Sequence, residues 1–228
     1  MRGGARDMSR ADPPTMARTR IWDLPTRLFH WTLAAGVAFS IITANVGGLW
    51  MDWHMRSGYA ILTLVVFRML WGFAGSRYAR FSTFVRSPRA VLDYLRGRIV
   101  HVAGHSPAGA LSVVSLLGVL LLQASTGLFT NDGSFTEGPL ARLVSRAMSD
   151  RLSTVHRYGE WVLYALVGLH LAAIAYYSLL KRSVLIGAMI TGDQRIAAPP
   201  AEDDRWMRVR ALLLAALAAT LVAYVVSL

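Results

Sequence analysis

Residues 155–171, VHRYGEWVLYALVGLHL, carry one histidine near each end of an apolar run, His156 and His170, fourteen residues apart. A neutral imidazole has a donor and an acceptor that hydrocarbon cannot satisfy, so each histidine needs a partner. Fourteen residues is two heptads. In a left-handed bundle both side chains then share one inward face, about 21 Å apart at 1.5 Å per residue.

The rest of the chain makes a membrane setting for this stretch. Of the 228 residues, 54% are hydrophobic and only 16% charged, against about 25% charged in an ordinary soluble domain. The apolar residues fall in five blocks, at 28–47, 57–74, 107–129, 155–180 and 211–228. Each is near the length of about 20 residues that crosses a bilayer as helix. Spanning strands would need short alternating segments closed into a barrel, and that pattern is missing. The expected fold is all-α, a polytopic transmembrane helix bundle with a four-helix core over 21–192. Residues 193–210 read as a cytoplasmic linker and 211–228 as a fifth, C-terminal transmembrane helix.

The net charge of +11 does not point to nucleic acid, because the basic residues flank the apolar blocks. Residues 1–27 hold six arginines, 75–104 six more, and 181–210 Lys181 with five. The other two connections are poorer in them, and Lys/Arg excess marks the cytoplasmic side. The expected topology is an inner-membrane, multi-pass protein with its N-terminus in the cytoplasm and its C-terminus in the periplasm. Residues 1–20 read as a disordered basic tail without the apolar run of a secretory signal, and Met16 is as good a start as Met1. In the connection between the third and fourth blocks, Leu140, Leu143, Val144, Ala147, Met148 and Leu152 recur at helical spacing. They suggest an amphipathic helix lying on the membrane surface or packed on the bundle. There is no cysteine, hence no disulfide, thiolate site or CxxCH haem attachment.

With this topology, four of the six histidines sort into two levels. His54 and His156 lie near the periplasm, and His30 and His170 lie toward the cytoplasm. Two bis-histidine levels inside a helix bundle are what two haem b groups need, one imidazole on either side of each iron. His105, at the start of the third span, is the competing partner for His30 or a neighbour of a haem propionate, whereas His101 reads as an interface residue. Arg68 lies inside the second span, where an unpaired charge costs about 2.5–3.5 kcal/mol. A propionate would pair with it, as with Arg27, Arg56 and Arg157 near the two levels. Nothing matches HExxH zinc chemistry, and carboxylates for a proton-coupled transporter are scarce in the spans. A membrane anchor or a histidine-lined transporter would leave the protein without haem.

The segments WDLPTRLFHW, HMRSGY, FRMLWGFAGSRYARFSTFVRSPRAVLDYL, GHSPAGA, QASTGLF, VSRAMSDRLSTVHRYGE and YYSLLKRSVLIGAMITG, in this order over about 20–192, resemble the bacterial cytochrome b561 family. That family includes the nickel–iron hydrogenase b-type cytochrome subunits. The resemblance implies a four-helix core with two haem b groups, its histidine pattern falling on His30, His54, His156 and His170. It implies electron transfer between the quinone pool and a periplasmic or membrane partner, such as a c-type cytochrome or a hydrogenase-like subunit. Other members oxidise superoxide and reduce quinone on their own. No local motif marks a quinone site, and the place assigned to one is beside the cytoplasmic haem, near His105 and Arg68. Association as a homodimer is left open.

Overall fold

Four of the five long helices start where a short polar side chain can cap them. Asp23 accepts from the Thr26 amide to open α1 (Leu24–Val46). Ser106 does so for Gly109 at α5 (Pro107–Gly127), Ser145 for Met148 at α6 (Arg146–Leu179), and Asp204 for Met207 at α8 (Arg205–Ser227). Each cap satisfies an amide that the first helical turn leaves unpaired. Pro25 and Pro107, just inside α1 and α5, sit where no amide donor is needed. The second long helix, α2 (Met51–Ala74), follows a single 3-10 turn and has no side-chain cap. Gly47 and Gly48, both at positive φ, make the reversal between α1 and α2, a backbone conformation other residues rarely adopt.

The computed structural model describes residues 18–98, 103–131, 133 and 136–228. The segment 1–17, most of the expected basic tail, lies outside the described residues, as does His101. Among the described residues, five helices are long and apolar enough to cross a membrane. The expected all-α membrane bundle is what the chain forms. Helix α2 is central and packs on α1, α5 and α8, while α6 packs on α5. Helices α1 and α6 do not pack closely on one another, which leaves a gap between them. Most of α6 faces outward, with only Ser149, Ser153 and Leu163 buried. Its exposed Val155, Trp161, Val162, Leu169 and Leu171 suit contact with lipid tails.

Shorter elements close the two ends. At one end lie α3 (Phe81–Phe84), which packs on α2, α4 (Pro88–Leu95), which packs on α5, and α7 (Leu185–Thr191), which packs on a two-stranded antiparallel ribbon. The ribbon pairs β1 (Arg18–Arg20) with β2 (Asp193–Arg195), Thr19 opposite Gln194. Arg20 bridges Asp193 at 2.8 Å and Asp203 at 3.2 Å. The Glu202 carboxylate accepts from the Arg77 amide at 2.8 Å, and Tyr78 donates to the Pro199 carbonyl at 2.6 Å. Of residues 193–210, expected as a cytoplasmic linker, 193–204 are an ordered strap and 205–210 are already the first turns of α8. We call this the strap end and the opposite one the loop end.

The connection between α5 and α6 also differs from expectation. Only one 3-10 turn, Ala141–Leu143, precedes Ser145, and from Arg146 onward the chain is already α6. Leu143, Ala147 and Met148 are exposed, whereas Ser149 and Ser153 are buried. Both serines bond the 129–131 backbone: Ser149 donates to the Phe129 carbonyl, and Ser153 accepts from the Asn131 amide. Hydrogen bonding to the neighbouring loop, rather than apolar periodicity, orients this stretch.

Candidate functional site

At the loop end, α2 and α6 bring His54 and His156 together, edge to face. Their ring centroids are 6.1 Å apart and their planes 80° apart. The Nδ1–H of His54 donates to the Ser40 carbonyl at 3.0 Å, with the Ser40 hydroxyl at 3.1 Å. The Nδ1–H of His156 donates to the Gln123 carbonyl at 2.9 Å. With Nδ1 engaged this way, each ring keeps Nε2 as a free lone pair, the arrangement usual in metal-binding histidines.

These rings border a cavity of about 470 Å³ lined from α1, α2, α5 and α6. Small residues, Ala44, Gly58, Ala124 and Gly127, supply much of its wall. An added Cβ at Gly127 would lie 3.0 Å from His156 Cε1. An imidazole nitrogen binds a metal at about 2 Å, so two imidazoles on opposite sides of one ion have ring centres about 6 Å apart. The observed separation fits an ion shared by two axial histidines with a broad, apolar group around it. Among the described residues, no cluster of three or more His, Cys, Asp or Glu side chains could hold a bare metal ion. The pair thus suits a metal that brings its own equatorial ligands.

Glu160 and Arg157 also line this cavity. The Tyr164 hydroxyl donates to Glu160 and accepts from Asn45 at 3.3 Å. Arg56 does not line it; its guanidinium lies 5.3 Å from the centre of the exposed Trp53 ring.

Toward the strap end, three histidines converge. His30 on α1 is close enough to both His170 on α6 and His105 for their charges to interact. No ring-to-ring contact joins His30 to either. The Ser112 hydroxyl lies 3.5 Å from His170 Nδ1. His105 is clasped by Trp22 and Phe84, at 4.6 and 4.4 Å between ring centres. Burial, aided by the charges of Arg68 and His30, lowers its pKa to about 3, so it is neutral near pH 7.

Arg68 is 2% exposed, and its guanidinium carbon sits 5.2 and 5.8 Å from the Phe81 and Phe84 ring centres. Among the described residues, no carboxylate is within salt-bridge distance. Asp23, the acidic group whose charge reaches it, is occupied by the Thr26 amide, the Thr26 hydroxyl and the Ser76 hydroxyl. Among the described residues, buried nitrogens of Arg68, His105 and His30 (Nη1, Nδ1 and Nδ1) find no partner. Orphaned donors at one level are what a polar or anionic group bound there would satisfy. Arg27, expected to face the same group, gives Nη1 to the Ile190 carbonyl at 2.6 Å, and its buried Nε also lacks a partner among the described residues.

The sequence pattern did not single out Ser40, Gln123, Gly127 or Glu160. A polar side chain inside an apolar span was the available signal for Gln123 and Glu160. The carbonyl of Ser40 and the space at Gly127 have no counterpart in residue chemistry.

Two comparisons bear on this site. A probable Ni/Fe-hydrogenase B-type cytochrome subunit from Rhodobacter capsulatus is 20% identical over 87% of this chain and 89% of its own. No solved structure matches the chain significantly. The family model of prokaryotic cytochrome b561 matches residues 21–192, the segment that holds His30, His54, His156 and His170, so the chain belongs to the prokaryotic cytochrome b561 family.

Proposed function

We propose that this protein carries two haem b groups, one between His54 and His156 and one between His30 and His170, and passes electrons across the inner membrane through them. The observation that carries the reading is the His54–His156 pair, 6.1 Å between ring centres on the wall of a cavity of about 470 Å³. Haem iron supplies the one-electron chemistry, and the protein supplies orientation, charge and exclusion of water.

Ser40 and Gln123 hold the two loop-end imidazoles through their carbonyls and so set ring angle and tautomer. At the strap end His170 is the second ligand in this reading. It sits two heptads from His156 on the same helix, whereas His105 is occupied by Trp22 and Phe84. Arg68 and His105 then offer their unpartnered nitrogens to a propionate. The exposed Arg56 and Arg157 act at most on the rim of the loop-end haem.

The arginine distribution assigns the strap end to the cytoplasm and the loop end to the periplasm. Helix α8 then leaves the C-terminus in the periplasm. The electron partners are the quinone pool and a periplasmic or membrane redox protein. The hydrogenase-subunit relative supports a protein partner over independent superoxide or quinone turnover.

The test is a pyridine haemochrome assay with reduced-minus-oxidised spectra on detergent-purified protein. Two haem b per chain with a sharp low-spin α band is expected. His54→Ala and His156→Ala should each retain one haem, and His105→Ala both. Native spectra with two haems in His156→Ala would refute the loop-end pair, and loss of a haem in His105→Ala would refute His170 as ligand.

A further inference from the structure

A groove between α4 and α5 lies apart from the histidines, none of which lines it. Its floor is one face of α5, where Pro107, Ala110, Leu111 and Val114 recur at helical spacing. Seven residues of helix make that stripe about 10 Å long. Pro107 and Ala110 are buried, whereas Leu111 and Val114 are exposed, so the groove is open at its far end. Val85, Pro88 and Val91 form the opposite wall, and about 230 Å³ lies between the two.

These walls suit hydrocarbon and nothing polar. Because α5 is a membrane span that starts at Pro107, the stripe runs from the surface of the bilayer toward its interior. The one charged residue on the groove is Arg86. It belongs to the connection between two spans, as does Arg89 in the first turn of α4, and this places both where lipid headgroups lie. Both are exposed, and among the described residues neither forms an ion pair. Other arginines of this connection are engaged, Arg98 with Asp93 at 2.9 Å and Arg80 with Glu202 at 3.9 Å. Leu92 and Leu95 of α4 are exposed as well, the mark of a short basic helix lying in the interface with its apolar side chains in the acyl region.

We propose that the groove between α4 and α5 binds one anionic phospholipid, an acyl chain lying along the Pro107–Val114 stripe and the headgroup phosphate held by Arg86 and Arg89. Guanidinium groups match phosphate oxygens in charge and geometry, and basic pockets beside membrane helices take anionic headgroups in this way. A zwitterionic lipid brings a cation to the same arginines, and free phosphate has nothing to fill the groove. The site requires the helices to stand in a bilayer but does not depend on the two haems proposed above.

The test is native mass spectrometry of the full-length protein in mild detergent, titrated with phosphatidylglycerol and, separately, with phosphatidylcholine of the same acyl chains. One phosphatidylglycerol per chain should be held in preference to phosphatidylcholine. Arg86→Gln should cut that preference about fivefold, the usual contribution of one arginine at a membrane surface. The double variant Arg86→Gln, Arg89→Gln should abolish it. Arg96→Gln, at the C-terminal end of α4 and off the groove, should leave it unchanged. Val114→Trp, at the open end, should weaken the binding of phosphatidylglycerol by obstructing the chain. All four positions are exposed, so folding is not at stake. Equal retention of the two lipids by the unaltered protein would overturn the site, as would a preference that survives in the double variant. A loss as large in Arg96→Gln would mean diffuse surface charge, and undiminished binding in Val114→Trp would mean an empty groove; either result overturns the proposal.

Discussion

Gln123 and His156 hold each other through two hydrogen bonds that run in opposite directions. The imidazole Nδ1–H donates to the Gln123 carbonyl at 2.9 Å, and Gln123 Nε2–H donates to the His156 carbonyl at 2.8 Å. The first bond fixes the ring through the backbone of α5. The second ties α5 to α6 at the same height, beside the cavity.

Because the ring is held by a main-chain acceptor, the side chain of Gln123 is separable from haem binding. Gln123→Leu should keep the loop-end haem and its low-spin spectrum. It should lose about 1 kcal/mol of stability, the usual net worth of one hydrogen bond, read as a lower apparent melting temperature. Loss of the haem would mean that the amide itself positions the ring.

Gly127 leaves the space in which His156 sits. A Cβ there would lie 3.0 Å from His156 Cε1 and 3.3 Å from Nδ1, so the ring must give way to it, and the added methyls of a branched side chain press it further. Gly127→Val should therefore displace the imidazole and lower occupancy of one haem, with the strap-end haem retained. Two native haems in the valine variant would show that the ring has room to move.

Asp23 ties the strap end together. At 1% exposure it caps α1 through the Thr26 amide, binds the Thr26 hydroxyl and reaches Ser76 beyond α2. Trp71 completes the knot by donating to the Thr26 hydroxyl at 3.2 Å. Asp23→Ala leaves these donors buried and unpaired and should cost about 2–3 kcal/mol. Asp23→Asn, which can still cap the helix, should cost less. Equal melting temperatures for the three proteins would remove Asp23 from the account of stability.

His105 makes stability depend on pH. Its folded pKa of about 3 lies below the ordinary 6.5, so between those values the unfolded chain binds a proton that the folded chain refuses. Stability from this group is level above pH 6.5 and falls as the pH drops toward 3. His105→Phe, which keeps an aromatic ring between Trp22 and Phe84, should narrow the difference in melting temperature between pH 7.5 and pH 5. An unchanged difference would mean that other groups carry the pH dependence.

Periodicity and composition were enough to read five helices, because a bilayer demands about 20 apolar residues in a row and punishes every exception. The same rule made the histidines and Arg68 visible, since each is a costly residue in an apolar run. The two-heptad spacing of His156 and His170 gave two levels without any knowledge of packing. What the run of residues could not carry is whatever depends on backbone atoms and on neighbours distant in the chain. The carbonyls of Ser40 and Gln123 are chemically identical to every other carbonyl until the helices meet. The strap at 193–204 has no periodicity, and its order comes from Arg20, Arg77 and Tyr78, more than a hundred residues away. The orphaned nitrogens around Arg68 likewise exist only because α2, α3 and the segment before α5 close over them. Apolar run length and histidine spacing thus determined the bundle and its two levels. The tertiary structure decided how each level is charged, because electrostatics depends on which groups are brought within a few ångströms and kept from water.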